Sequence, residues 1–376
     1  MAGSGRGRRG FRLRRAALCV TTGVALAALT AACGAAGNPG QAGVAVMDAQ
    51  SGTITESGSG LLYPLAVTWA RAYHQAAPGV TVTTASTGSG KGIQLAAAGT
   101  ADIGASDAYL SSGDLVQNPT LLNIPLVISA QTVIYNLPGL GQGTHVNLDG
   151  PVLAGIYDGT ITTWDDPAIA RINKGVALPS IKIVPVHRSD SSGDTFLFTS
   201  YLSTQDPDWG SKIGYGTTAA WPGVAGALAE SGSVSTMNAC ERTPGCVAYN
   251  GISYLSAALS GHLGYAGLAN AAGDYTLPTA AAIQASVASF VSLTPPNETI
   301  SIIDGPAPAG YPVVNYEYAV VRSRQPDAAK ASEIRAFLHW VITTGNQAAY
   351  VDTVGFQPLP SALVTLGEQQ IAEIGS

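Results

Sequence analysis

Charge is scarce in this chain, and positive charge is scarcer still. Charged residues make up 11% of the 376 positions, with 18 Lys and Arg against 24 Asp and Glu. Six of the basic residues (Arg6, Arg8, Arg9, Arg12, Arg14 and Arg15) fall within the first 32 positions, which hold no acid. The remainder therefore carries twelve basic residues against 24 acidic ones, a net charge of −12. That balance argues against nucleic acid as a partner, because such binding rests on cationic contacts to phosphates. Histidine is also rare: His74, His145, His187, His262 and His339 are scattered, with no His-x-His or His-Glu-x-x-His spacing. A zinc site and a histidine-based hydrolase both lose their usual signature, and there is no Gly-x-Ser-x-Gly elbow.

Long apolar runs are missing except at the N-terminus. There the six arginines lead into an apolar stretch from Ala16 to Ala32, closed by small residues. A basic region, a short apolar region and small closing residues describe a secretory signal over 1–32 rather than a membrane span. Arg8-Arg9-Gly10-Phe11 resembles a twin-arginine signal, a pairing that basic leaders also produce by chance. Cys33 follows "LTAA" and precedes Gly34, the position of the lipid-accepting cysteine in a bacterial lipobox, with Thr30 where leucine is usual. An ordinary signal with a chance cysteine is the alternative. The Gly/Ala/Pro stretch through residue 50 reads as a flexible tether, which suits a lipidated Cys33.

Cysteine is limited to four residues, of which Cys19 goes with the signal. Cys240 and Cys246 flank a Pro-Gly turn in "CERTPGC", and in an exported chain this pair is expected to form a short-loop disulfide. A metal site is the alternative, without a second Cys pair to support it.

From Gly52 strand-like and helix-like segments alternate, the pattern of an α/β fold. Leu61, Leu62, Leu65, Trp69 and Tyr73 share one face of a helix and are expected in the core. "NIPLVIS" and "TVIYNLP" read as two buried strands, "IKIVPV" and "YPVVNYEYAVV" as two more. A long helix through "IRAFLHWVITTG" follows near the end. Asp165-Asp166 before Pro167 reads as a helix start rather than a catalytic carboxylate pair. His187 reads as a strand residue rather than a base.

One motif recurs: a strand, a Gly/Ser loop, then a helix. It appears at "ESGSGLLYP", "STGSGKG" and "HRSDSSGDTF". "STGSGKG" is not a Walker loop, since Ala85 and Gly92 stand where a glycine and a magnesium-binding hydroxyl are required. A helix start presents unpaired N–H groups and about half a positive charge, which suits an anion. Arg188 in the third loop is a fork suited to an oxyanion, with a salt bridge to Asp190 as its structural alternative. Asp107, at the end of a strand, is either a helix cap or an acceptor for a proton carried by the anion. A proton acceptor favours hydrogen phosphate over sulfate, which would leave the carboxylate unpaired.

The stretches "GSGLLYP", "TGSGKGIQLAAAGTADIGASDAYLS", "VPVHRSDSSGDTFLFTSYLS", "TPGCVAYNGISYL" and "IDGPAPAGYPVVNYEYAVV" closely resemble the PstS family, in its actinobacterial form. These are the phosphate-binding lipoproteins of bacterial phosphate ABC importers. The resemblance runs from about Thr53 to "FQPLP". It implies a two-lobed periplasmic-binding-protein fold of type II, with the ligand cleft between lobes joined by a hinge. Set on this chain, lobe I takes 51–132 and 313–376, and lobe II takes 133–312. It further implies a non-enzymatic monomer, without cofactor or metal, serving permease subunits and a separate ATPase. A protein for another oxyanion, a surface lipoprotein and a phosphatase-like enzyme are the alternatives.

Position by position, the resemblance implies Ser59, Gly60 and Leu61 in the first loop and Ser89 in the second as phosphate-binding positions. Asp107 accepts the phosphate proton, Arg188 clamps the anion, and Ser192 and Gly193 donate from the third loop. Gly60 replaces a threonine that many members have; Leu61 still offers its N–H. Asp194 likewise stands in place of a threonine, and is either a second acceptor or the partner of Arg188; the pair is the expectation.

Overall fold

The computed structural model describes residues 51–376 except Gln142. The signal, Cys33 and the tether all lie outside the described residues. Twelve strands are described, in chain order β1 (Gly52–Gly58), β2 (Val80–Thr83), β3 (Ile103–Ser106), β4 (Leu121–Tyr135), β5 (Asn147–Leu148) and β6 (Val184–Arg188). They continue with β7 (Leu228–Glu230), β8 (Cys246–Gly251), β9 (Gly264–Tyr265), β10 (Gly267–Ala269), β11 (Tyr275–Thr276) and β12 (Val314–Arg322). One sheet runs β2-β1-β3-β12-β4-β8-β6-β7, with β9 also paired to β4, and β5, β10 and β11 form a small second sheet.

β1, β2 and β3 are parallel, as are β6, β7 and β8, and each set is linked through helices. Between the two parallel sets lie β12 and β4, antiparallel to each other and to the strands beside them. β12 and β4 therefore tie two α/β halves into one sheet. The lobe boundary expected at 132/133 falls within β4.

"NIPLVIS" and "TVIYNLP" are a single strand rather than two. All but one of the residues of β4 are buried, so an apolar run can continue through Ser129-Ala130-Gln131 provided those polar groups find partners. The ladder to β12 slips once, between Glu317 opposite Val127 and Tyr318 opposite Pro125. Leu126 is the extra residue there, beside a proline that has no N–H to give the ladder. Strand β1 runs to Gly58, into the first Gly/Ser loop.

The helix Tyr63–Ala76 buries Leu65, Trp69 and Tyr73 as its spacing predicts, with Pro64 in its first turn and Leu61 and Leu62 buried just ahead of it. Asp166 caps Pro167–Ile172 by accepting from the Ala168 N–H, which accounts for "DDP". His187 lies in β6 and stacks on Trp221. The main core runs through both halves, and a smaller apolar cluster of Ile134, Val186, Ala248 and Leu263 surrounds the Cys240–Cys246 disulfide. No helix among the described residues is long and apolar enough to cross a membrane.

Candidate functional site

Each Gly/Ser loop delivers the start of a helix to one place. The second loop starts Ser89–Ala98 and the third starts Gly193–Gln205, and neither start is capped by a side chain. Among the described residues the Ser89, Gly193 and Asp194 N–H groups have no backbone acceptor and suit an outside one. The first loop is laced to the second, with the Thr87 and Gly88 N–H groups donating to the Gly58 carbonyl and Ser57 and Thr87 sharing a hydroxyl bond.

The second and third loops interlock. Gly90 N–H donates to the Ser191 carbonyl at 3.3 Å. A Cβ on Gly193 would stand 2.0 Å from Asp107 Oδ2 and 2.4 Å from Ser89 Oγ. Glycine at 193 is thus what allows the third loop to approach the opposing carboxylate. Ser89 is fully buried and accepts from the Asp107 N–H at 3.1 Å, while the Asp107 carbonyl accepts from Asn315 Nδ2 at 2.6 Å. Asp107 is therefore fixed by its backbone, leaving its carboxylate to face the cleft. It caps no helix: the next one, Ser112–Gln117, is capped by Ser111.

Arg188 is buried, and both expected partners hold it. Asp190 takes Nε at 2.7 Å and Nη2 at 2.5 Å, and Asp194 takes Nη1 at 2.7 Å. The pairing with Asp194 agrees with expectation, and the bridge to Asp190 is not a surface one. Burial opposes the arginine's charge, but Asp190 and Asp194 outweigh it and hold its pKa above the ordinary value. Asp194 also accepts from Gln131 Nε2 at 3.2 Å and Ser233 Oγ at 3.0 Å. Burial raises the Asp194 carboxyl, with Arg188, Gln131 and Ser233 opposing it. Burial and then the Asp194 charge raise Asp107 to about 6, with the neighbouring Glu317 and Ser59 side chains drawing it down. Asp107 Oδ1 is buried and receives no bond from any described donor.

The remaining expected positions lie in the same place. Ser59 Oγ accepts from the Leu62 N–H at 2.9 Å and points to Glu317 at 3.3 Å. The Gly60 carbonyl accepts from Tyr254 and the Leu61 carbonyl from Ser253, both across the cleft. The Ser192 N–H is held by the Thr217 carbonyl. A cavity of 450 Å³, lined by Tyr63, Ser86, Gly232, Ser233 and Tyr254 among others, opens beside the first loop.

Four residues of this site are not singled out by the sequence. Ser233, at the start of the helix Ser233–Glu241, bonds both Arg188 and Asp194 and would lie 2.8 Å from a Cβ on Gly60. It fills the space that the missing first-loop threonine leaves. Gln131, Asn315 and Glu317 come from the two crossing strands. Their signal is present as polar residues at every second position of otherwise apolar runs, "SAQ" and "NYE".

The fold and the cleft place the chain among bilobal binding proteins, and residues 43–344 match the PBP superfamily domain. It is 33% identical over 311 residues to the phosphate-binding protein PstS of Xylella fastidiosa, covering 83% of this chain and 82% of that one. It is 34% identical over 325 residues to PstS of Methanocaldococcus jannaschii, covering 80% of each. PstS3 of Mycobacterium bovis is 31% identical over 338 residues, covering 87% of this chain and 88% of the relative. The chain belongs to the PstS family. In fold it is similar to the high affinity periplasmic phosphate-binding protein PfluDING, solved bound with phosphate. The TM-score is 0.66 at 21% identity, over 86% of this chain and 99% of that one. A phosphate-binding protein of Stenotrophomonas maltophilia gives a TM-score of 0.64 at 20% identity, over 85% of this chain and 94% of that one.

Proposed function

We propose that this chain captures one inorganic phosphate ion outside the cytoplasm and delivers it to an ABC importer. The observation that carries the reading is Asp107. It is a buried carboxylate with an oxygen that no described donor reaches, set between two uncapped helix starts. A bare dianion would meet that oxygen as a like charge, whereas an anion that carries a proton donates it there. Helix N–H groups from Ser89, Gly193 and Asp194 and the first-loop N–H of Leu61 supply donors for the other oxygens. Arg188, locked by Asp190 and Asp194, offers charge without freedom to move.

Binding is by closure. Gly193 reaches Asp107 only when the halves meet, and the cross-cleft bonds from Tyr254 and Ser253 hold that arrangement. The surface charge of −12 slows capture at low salt, yet local donors at contact distance outweigh charges screened beyond roughly 8–10 Å. Cys33 carries the lipid that keeps the monomer at the membrane, and the partners are a permease and a separate ATPase.

Titration calorimetry of the domain, freed of phosphate by partial unfolding, tests the reading against phosphate and then sulfate at neutral pH. The expected result is one tight phosphate per chain and no response to sulfate. Binding of sulfate with equal strength would assign the site to oxyanions in general. No binding of either would return the chain to a surface lipoprotein.

A further inference from the structure

Below the loops, the site contains more carboxyl groups than it has cations to balance. Asp107, Asp194 and Glu317 are all buried, and the one guanidinium, Arg188, is already shared between Asp190 and Asp194. Among the described residues no cation lies within ion-pair distance of Asp107 or Glu317. Nor does any group of three or more His, Cys, Asp or Glu among them form a metal site there. Glu317 is fully buried in β12, next to the ladder slip at Pro125. Its Oε1 accepts from Ser129 Oγ at 2.5 Å and its Oε2 from Ser59 Oγ at 3.3 Å. The antiparallel register of β12 on β3, with Tyr318 opposite Ser106, brings Glu317 opposite Asp107 at the end of the ladder. Two ionised carboxylates in contact, both out of water, are costly, and one proton between them removes the conflict.

We infer that Glu317 holds that proton: it is a neutral carboxylic acid that donates to Asp107 and keeps Asp107 ionised and oriented as the acceptor for the ligand's proton. It is a positioning residue that acts through Asp107. The titratable groups that act on it are Asp107 after β3 and Asp194 at the start of Gly193–Gln205, with Tyr318 next to it on its own strand. Ser129 and Ser59 are its uncharged neighbours. Burial pushes the Glu317 carboxyl well above the ordinary range and the Asp107 charge pushes it further, while the bond to Glu317 draws Asp107 down. The proton therefore stays on Glu317. At alkaline pH its loss adds a negative charge beneath the anion and weakens binding.

The role in ligand recognition rests on the phosphate reading; the protonation of Glu317 does not, so the two are tested apart. Infrared spectra of the ligand-free protein at neutral pH, wild type minus Glu317→Gln, read the carboxylic C=O band of Glu317. The subtraction is needed because burial also raises Glu56 to about 8 and Glu298 to about 9. A protonated-carboxyl band in the difference is expected. Ser129→Ala, which removes the hydroxyl on Oε1, shifts that band without deleting it and serves if Glu317→Gln does not fold. A carboxylate band in its place overturns the inference, whether or not phosphate binds.

Phosphate titrations across pH then read the consequence. The amide introduced by Glu317→Gln still donates to Asp107, less strongly than an acid. The variant is therefore expected to bind about threefold more weakly at neutral pH and to lose the alkaline decline. Binding tighter by about tenfold would mean a repelling charge had been removed, and a loss beyond about 30-fold would make Glu317 an acceptor for the ligand itself. Either overturns the inference.

Discussion

The rim and the floor of this cleft are made of different materials. The rim is backbone: three Gly/Ser loops that present helix starts, with Gly193 admitted to within a Cβ's width of Asp107. The floor is side chains: Gln131 from β4 holds Asp194, Asn315 from β12 holds the Asp107 carbonyl, and Glu317 from β12 accepts from Ser59 above it and from Ser129 of β4 beside it. A rim of N–H groups has a fixed partial charge and does not titrate. The carboxyls beneath it do, and they decide how many protons the site contains. Recognition of an anion by shape and by proton count are thus divided between the two.

Arg188→Ala joins both regions and is expected to have the largest effect. It leaves Asp190 and Asp194 without their cation, at a cost of about 3–5 kcal/mol in folding stability. Phosphate affinity should fall by more than about 100-fold, converting about 3 kcal/mol at 1.4 kcal/mol per decade. Denaturant unfolding and calorimetry measure the two; an unchanged stability would mean the ion pairs are not buried in solution.

Gly193→Ala breaks the rim alone. Its methyl would collide with Asp107 Oδ2, so the open form should be favoured and phosphate affinity reduced by about tenfold or more, converting at least about 1.4 kcal/mol of strain. The melting temperature without ligand should change little, and small-angle scattering should show less compaction on adding phosphate.

Asp107→Asn probes, through pH, the carboxylate at which rim and floor meet. The Asp107 carboxyl is raised from 3.8 to about 6 in the folded chain, by burial first and by Asp194 next. The folded state therefore binds more protons than the unfolded state in that window, and stability falls as pH rises through it. Removing the group removes this decline, so the variant should melt about 2–4 °C above wild type at neutral pH and level with it below pH 3.8. A constant difference at all pH values would place the titration elsewhere.

Ser129→Ala gives the smallest effect. It deletes the 2.5 Å bond to Glu317 and should cost about 1 kcal/mol of stability, read by denaturant midpoint. A cost no larger than that of a surface serine would separate β4 from the floor.

Most of the rim is readable from local signals. "STGSGKG" and "HRSDSSGDTF" are loops at helix starts, and the apolar face of Tyr63–Ala76 follows its spacing. Arg188 carries its partners Asp190 and Asp194 within six residues of itself. The floor is harder to see because it lies inside runs that are conspicuous for their apolar members. Ser129 and Gln131 alternate within β4, and Asn315 and Glu317 within β12, so the pattern of a polar strand face is there without anything to say what it faces. The division of β4 into two strands has the same origin, since Ser-Ala-Gln looks like a break when it is the part of the strand under the site.

The α/β alternation, the three anion-suited loops and the family are all written in the order of the residues. Each of these is expressed in contiguous residues, by period, by glycine or by the N–H groups a helix start leaves free. That Ser233 fills the space beside Gly60 and that Glu317 comes opposite Asp107 depend on how the chain folds back on itself. Those contacts join residues far apart in the chain: Ser129 and Glu317 are 188 positions apart, Ser59 and Glu317 are 258. No local rule fixes such a pairing; it follows from β12 returning antiparallel between β3 and β4, which brings the polar faces of two strands together beneath the loops.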